Sequence, residues 1–164
     1  MDGVRHDVVE GESWATLDHG RGRWPYEVRW NWGAGSGRVG GRTIGLQVGG
    51  QWTDGTGSVE NSLLVDGHLS KISEELVWEY TADRGREGWL EPWRVFGDTV
   101  DLTFTPFHLR EAVTNVNVLL KRAVLTNSTH QAFGHWAGRF RTDTGAWVDL
   151  DGLTGWAEDV HNRW

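Results

Sequence analysis

The chain has 164 residues, enough for one compact domain with its own core. Its 23 acidic residues outnumber 16 basic ones, and no segment concentrates Lys or Arg, which argues against nucleic acid as a partner. Cysteine is absent, the N-terminus lacks the pattern of a signal peptide, and no apolar run approaches the roughly 20 residues that span a bilayer, so the sequence predicts a cytoplasmic protein without a membrane span.

The first part of the chain is predicted to divide into an entry segment and a strand. Residues 1–22 show no hydrophobic period and form the entry segment, whereas residues 23–164 form the folded domain. From Trp24 to Trp32 large apolar side chains alternate with polar ones, which is typical of a strand with one buried face. A Gly/Ser loop is predicted over 33–41, followed by a short strand over 43–48.

The remaining elements are also predicted to be short and extended. Further strands are expected at 59–65, 68–72, 75–80, 93–96, 99–105, 110–125, 133–141 and 146–150. Asp66-Gly67 between two of these runs is a strong hairpin signal, because both residue types tolerate positive φ. Trp156, Val160 and Trp164 recur at intervals of four, which predicts a short C-terminal helix over 153–164.

This order of elements predicts the fold class. About ten short strands without crossover helices indicate an all-β fold, an antiparallel barrel or sandwich, with the short helix at its end. We favour a calycin-like barrel, because closure removes exposed strand edges.

A glycine-rich run and a pair of histidines suggest a dinucleotide site and a metal site, but their sequence context argues against both. The run from Gly35 to Gly40 matches a dinucleotide fingerprint, but a strand-like segment follows it where the motif requires a helix. His130 and His135 are five residues apart, so on one strand they face opposite sides of the sheet, which argues against a shared metal ion. The sequence therefore predicts neither a cofactor nor a metal site.

The segment from Gly50 to Asn61 carries the best candidates for chemistry. It places Asp54, Glu60, Asn61 and Trp52 between glycines just before an apolar strand. A carboxyl group held against Trp rings loses solvation, so its pKa rises and it can donate a proton, which makes Glu60 or Asp54 the candidate acid. The alternative for Asp54 is that Asp54-Gly55 is only a turn.

Several strings resemble a known family. Trp-Asn-Trp-Gly at 30–33, Gly-Gly-Gln-Trp-Thr-Asp-Gly-Thr-Gly at 49–57 with Glu60-Asn61, the run 101–107, Gln-Ala-Phe-Gly-His at 131–135 and the ending 155–164 are similar to domain of unknown function 2804. Members are usually about twice as long, which implies that this chain corresponds to their C-terminal half, one half of a two-domain architecture. More distantly the pattern is similar to the lipocalin-like barrels of the carotenoid hydratase and attachment-protein family, which implies a cavity for a hydrophobic molecule and acid-catalysed addition of water to an alkene.

Three functions follow as hypotheses. The first is a cofactor-free enzyme of the hydratase, isomerase or lyase type that transfers protons to a small hydrophobic molecule in a Trp-lined barrel cavity, with Glu60 or Asp54 as acid and His135 as base. The second is a binding module for a lipophilic or glycan ligand, and the third is a structural half-domain that forms a homodimer. The residues predicted to contact the ligand are Trp30, Trp32, Trp52, Asn61, Gln131 and Trp136.

Overall fold

The structure, a computed structural model, describes residues 3–118 and 123–163. Its strands are β1 (Glu27–Val39), β2 (Arg42–Gly50), β3 (Asn61–Val65), β4 (His68–Ile72), β5 (Val77–Glu79), β6 (Trp93–Phe96), β7 (Val100–Val118), β8 (Ala123–Arg141) and β9 (Trp147–Arg163). The five-residue helix α1 (Gly85–Trp89) precedes β6. Within the described residues, no helix has the length and apolar character needed to cross a bilayer.

All nine strands belong to one antiparallel sheet. Their order is β4-β3-β2-β1-β9-β8-β7-β6-β5, so two meanders meet where β1 pairs with β9. The sheet curls, because the Asn61 amide of β3 donates to the Glu74 carbonyl just before β5, and the Trp78 indole of β5 donates to the Gly49 carbonyl of β2. The prediction of an antiparallel all-β fold is confirmed, in the form of a curled half-barrel.

Aromatic side chains fill the face of the sheet that lies inside the curl. Trp93, Phe104, Trp136 and Leu153 lie opposite one another across four neighbouring strands, and each is at most 1% exposed. We call this the inner face and the opposite one the outer face. Successive residues of a strand alternate between the two faces, so each strand contributes to both.

The predicted Gly/Ser loop over 33–41 is wrong, since β1 continues to Val39. A Cβ atom on Gly33 would lie 2.6 Å from the Trp136 ring, and one on Gly35 would lie 3.2 Å from the same side chain. These glycines therefore make room for a buried indole within a strand. Gly40 and Gly41, both at positive φ, form the turn to β2.

The predicted C-terminal helix over 153–164 is also wrong, because β9 continues to Arg163. An interval of four residues is one helical turn but also two strand repeats, so the spacing of Trp156 and Val160 fits both structures. Pairing with β1 on one side and β8 on the other favours the strand, since it satisfies the backbone hydrogen-bonding groups of this segment.

The hairpin at Asp66-Gly67 and the long strand over 110–125, both predicted from the sequence, have different outcomes. The Asp66-Gly67 hairpin is confirmed, with Val65 opposite His68 and both turn residues at positive φ. The predicted strand over 110–125 instead belongs to two strands, the end of β7 and the start of β8, and its residues 119–122 lie outside the described part of the chain.

Candidate functional site

A row of four side chains crosses the outer face of the sheet. Arg110 of β7 lies opposite Gln131 of β8, and Gln131 lies opposite Glu158 of β9. Glu158 in turn lies opposite Trp32 of β1. Directly opposed residues of antiparallel strands project from the same face, so four distant parts of the chain meet here.

Glu158 supplies the carboxyl group of this row, and only 6% of its surface is exposed. The indole Nε1 of Trp30 donates a hydrogen bond of 2.9 Å to its Oε1, and the amide Nε2 of Gln131 donates one of 2.9 Å to its Oε2. Gln131 lies between Arg110 and Glu158, and the Arg110 Nη1 donates a hydrogen bond of 3.5 Å to the Gln131 Oε1. Both carboxyl oxygens of Glu158 are thus held by neutral donors.

The surroundings of Glu158 favour its protonated form. Burial raises the pKa of the Glu158 carboxyl above its ordinary value, and the negative charge of Asp18 acts in the same direction. The hydrogen bonds from Trp30 and Gln131 and the charge of Arg110 oppose this rise without cancelling it. Glu158 therefore keeps its proton to a higher pH than a solvated glutamate does.

A cavity of about 680 Å³ lies over Glu158, between the outer face and residues 17–21 and 24. We call it the outer cavity; its size is in the usual range for small-molecule sites. Its floor consists of Trp30 and Trp32, which are half-buried, and Glu158. Its mouth carries the more exposed residues Trp24, Trp52, Asp18 and Glu60.

This arrangement suits proton transfer to an apolar molecule. A protonated carboxyl at the floor of an aromatic cavity can give its proton to a bound ligand. The carboxylate that remains keeps the hydrogen bonds from Trp30 and Gln131, which become stronger when their acceptor is charged. The same group can then take a proton back.

Five of the residues predicted from the sequence come together at this place. Trp30, Trp32, Trp52 and Glu60 line the outer cavity, and Gln131 binds the Glu158 carboxyl. Glu60 is exposed, so it lacks the burial on which its predicted role as the acid depends. The cavity itself differs from the prediction in position, because it lies on the outer face and not inside the barrel.

The other two predicted catalytic residues lie elsewhere. Asp54 is exposed in a turn, where its Oδ1 accepts a hydrogen bond of 3.0 Å from the Gln51 backbone and the following Gly55 has positive φ. His135 is exposed on the outer face of β8, with its Nδ1 3.3 Å from the Thr154 hydroxyl. Neither is among the residues that line the outer cavity.

The remaining two predicted ligand contacts, Asn61 and Trp136, are fully buried. The Oδ1 of Asn61 accepts a hydrogen bond of 2.7 Å from the Gly49 backbone, and its Nδ2 donates one of 3.0 Å to the Glu74 carbonyl. The Trp136 ring lies on the inner face and its Nε1 donates to the Ala34 carbonyl at 3.2 Å. Both side chains make contacts that hold the sheet in its curl.

Replacing Asn61 with alanine is expected to lower the free energy of unfolding by about 1–3 kcal/mol, because it leaves a buried N–H and a backbone carbonyl without their partner. Urea unfolding followed by circular dichroism measures this loss. Ser62→Ala, at the next and less buried position of β3, serves as the control. Equal stability of the two variants would contradict a structural role for Asn61.

A polar network lies on the inner face directly behind Glu158. The Tyr80 hydroxyl donates to the neighbouring Asp159, and the Asn31 amide donates to the Tyr80 oxygen at 3.1 Å. Gln51 donates to Asn31 at 2.7 Å, and the Tyr80 ring stacks on Trp93 with centroids 4.4 Å apart. Burial and the bond to Asp159 raise the pKa of Tyr80, so this hydroxyl stays neutral. These polar groups supply one another's hydrogen-bond partners, as expected of a polar cluster that completes a core.

Comparison with known proteins identifies one family. The family model described as a domain of unknown function (DUF2804) matches residues 1–164, the whole chain. Among curated proteins and among solved structures, no significant match to the chain was found.

Proposed function

We propose that this chain, which belongs to the DUF2804 family, binds a small, largely apolar molecule in the outer cavity and acts on it by proton transfer through Glu158. One observation carries the proposal: a nearly buried carboxyl group, held by Trp30 and Gln131, forms part of the floor of an aromatic cavity. The reaction belongs to the cofactor-free hydratase, isomerase or lyase type.

Glu158 fits the role of the acid better than the carboxyl groups singled out in the sequence. Glu60 and Asp54 are exposed and lack an enclosed environment, whereas Glu158 is nearly buried and burial favours its neutral form. Because the Trp30 and Gln131 donors also stabilise the carboxylate, Glu158 can serve first as acid and then as base without a second residue.

The alternative is a binding module that uses the same cavity without turnover. In that case the Glu158 carboxyl fixes the orientation of the ligand by donating or accepting a hydrogen bond, and the Trp rings supply apolar contact. The two proposals agree on the cavity and differ only in whether the proton moves.

A fluorescence titration tests the cavity. Terpenoids, fatty acids, steroids and sugars are titrated into the purified chain, and we expect one class to quench Trp emission saturably. Trp30→Phe should weaken that binding, whereas Trp147→Phe, at an exposed position outside the cavity lining, should not. A flat response of the folded protein to every class would contradict the proposed site.

The ligand found in this way then tests the acid. Glu158→Gln keeps the shape of the side chain but cannot supply a proton, so we expect the rate to fall by about 10²–10⁴-fold while the Kd changes little. Asp54→Asn, in the turn outside the cavity, is the matched control. An unchanged rate in Glu158→Gln would exclude Glu158 as the acid, and loss in Glu60→Gln alone would transfer that role to Glu60.

A further inference from the structure

We infer that the outer cavity takes a ligand with an organic cation at one end, such as an alkylammonium group, bound at the mouth with its apolar part against the floor. The inference rests on the cavity of the proposed function but not on proton transfer by Glu158. Aromatic faces and carboxylates occur together at this mouth, whereas the floor is mostly indole.

Two indole rings at the mouth form the aromatic part of the cation site. The ring centroids of Trp24 and Trp52 are 5.9 Å apart, and their planes are inclined by 60°. The two residues remain 47% and 41% exposed, so a ligand has access to this pair. The face of an indole ring carries the negative part of its quadrupole and attracts an organic cation within about 6 Å.

The charges around the cavity favour the same ligand. Asp18 and Glu60 are exposed carboxylates of the lining, against one arginine, Arg21, and one histidine, His19. The chain as a whole has a formal charge of −7. An anionic ligand would be repelled by these carboxylates, whereas a cation would be attracted to them.

The depth of the cavity indicates where the apolar part of the ligand lies. Trp30 and Trp32 of the floor are less exposed than the two mouth indoles, and Trp32 packs edge-on against Trp156 with centroids 5.1 Å apart. Burying an alkyl chain against these rings is favourable by the hydrophobic effect. The cavity therefore matches an amphipathic molecule with its charge towards solvent.

Three probes with the same chain and different head groups test the inference. Hexyltrimethylammonium, 1-hexanol and hexanoate are titrated into the full chain, with Trp fluorescence as the readout. We expect the ammonium probe to bind about three- to tenfold more tightly than 1-hexanol, and hexanoate to bind most weakly. The advantage of the ammonium probe should shrink at high salt, because its carboxylate partners are exposed.

A pair of matched variants assigns the effect to the mouth. Trp52→Leu removes an aromatic face but keeps an apolar side chain, so it should reduce the affinity for the ammonium probe more than that for 1-hexanol. Trp147→Leu, which replaces a similarly exposed indole outside the lining, should change neither. Circular dichroism is needed to check that both variants fold.

The outcomes separate this inference from the proposed function. Equal binding of the ammonium probe and 1-hexanol, or tighter binding of hexanoate, would overturn the cation site and leave the apolar cavity in place. Failure of all three probes to bind the folded chain would overturn the cation site, whereas the proposed function fails only if the wider panel of terpenoids, fatty acids, steroids and sugars also gives no response. The expected order, lost selectively in Trp52→Leu, would support the cation site.

Discussion

Replacing Trp136 with alanine is expected to lower the free energy of unfolding by about 3–5 kcal/mol. The side chain is fully buried, packs against Phe104 with centroids 4.7 Å apart, and lies over Gly33 and Gly35 of β1. Its removal leaves a cavity that two glycines cannot fill. Since small domains are stable by only about 5–15 kcal/mol, this one change would remove much of the total.

Urea unfolding followed by far-UV circular dichroism measures the loss. Trp147→Ala is the control, because Trp147 is 46% exposed and contacts the Arg139 guanidinium 4.8 Å from its ring. Its loss should be within about 1 kcal/mol. If Trp136→Ala does not fold, Trp136→Phe should give an intermediate loss. Equal stability of the Trp136 and Trp147 variants would contradict a core role for Trp136. It would favour the role as a ligand contact that was predicted from the sequence.

Alternation and turn chemistry predict most of the strands of this fold. Local rules suffice for β4 and for the Asp66-Gly67 turn, because both depend only on neighbouring residues. They fail at Gly33 and Gly35, where the reason for glycine is the indole of Trp136, about 100 residues later in the chain. A glycine that makes room for a distant side chain looks the same in sequence as a glycine in a loop.

The candidate site also depends on contacts between residues that are far apart in the sequence. Trp30 and Gln131 were singled out from the sequence, but Glu158, which both of them bind, was assigned to a helix. Residues at intervals of two share one face of a strand, so a strand over this segment would have placed Glu158 on the same face as Trp156 and Val160. The bonds themselves join residues 128 and 27 positions apart, and sheet register alone brings such residues together.

Glu158→Gln is expected to remove a pH dependence from the stability of the chain. Burial raises the pKa of Glu158 in the folded protein above its ordinary value of 4.5, so the folded state holds this proton more tightly than the unfolded state does. The stability that comes from this proton is fully present below pH 4.5 and is lost as pH rises through the folded pKa. The slope for one such proton is at most about 1.4 kcal/mol per pH unit.

The amide of the variant does not titrate, so its stability relative to the wild-type chain should increase over that pH window and then stay constant. Urea unfolding of both chains between pH 4 and 8 measures the difference. Trp30→Phe provides an independent check: it removes a hydrogen bond that favours the charged carboxyl, so the window should move to higher pH. Trp32→Phe, in the same row of the sheet, should leave the window where it is.

A constant difference between Glu158→Gln and wild type from pH 4 to 8 would mean that Glu158 has the same proton affinity in both states. The hydrogen bonds from Trp30 and Gln131 and the charge of Arg110 would then cancel the effect of burial, and the role of Glu158 as the acid could not stand. A window that moves with Trp30→Phe but not with Trp32→Phe would instead show that the indole hydrogen bond sets the proton affinity of Glu158. That coupling is the property that the proposed acid requires, and it can be measured before any substrate is known.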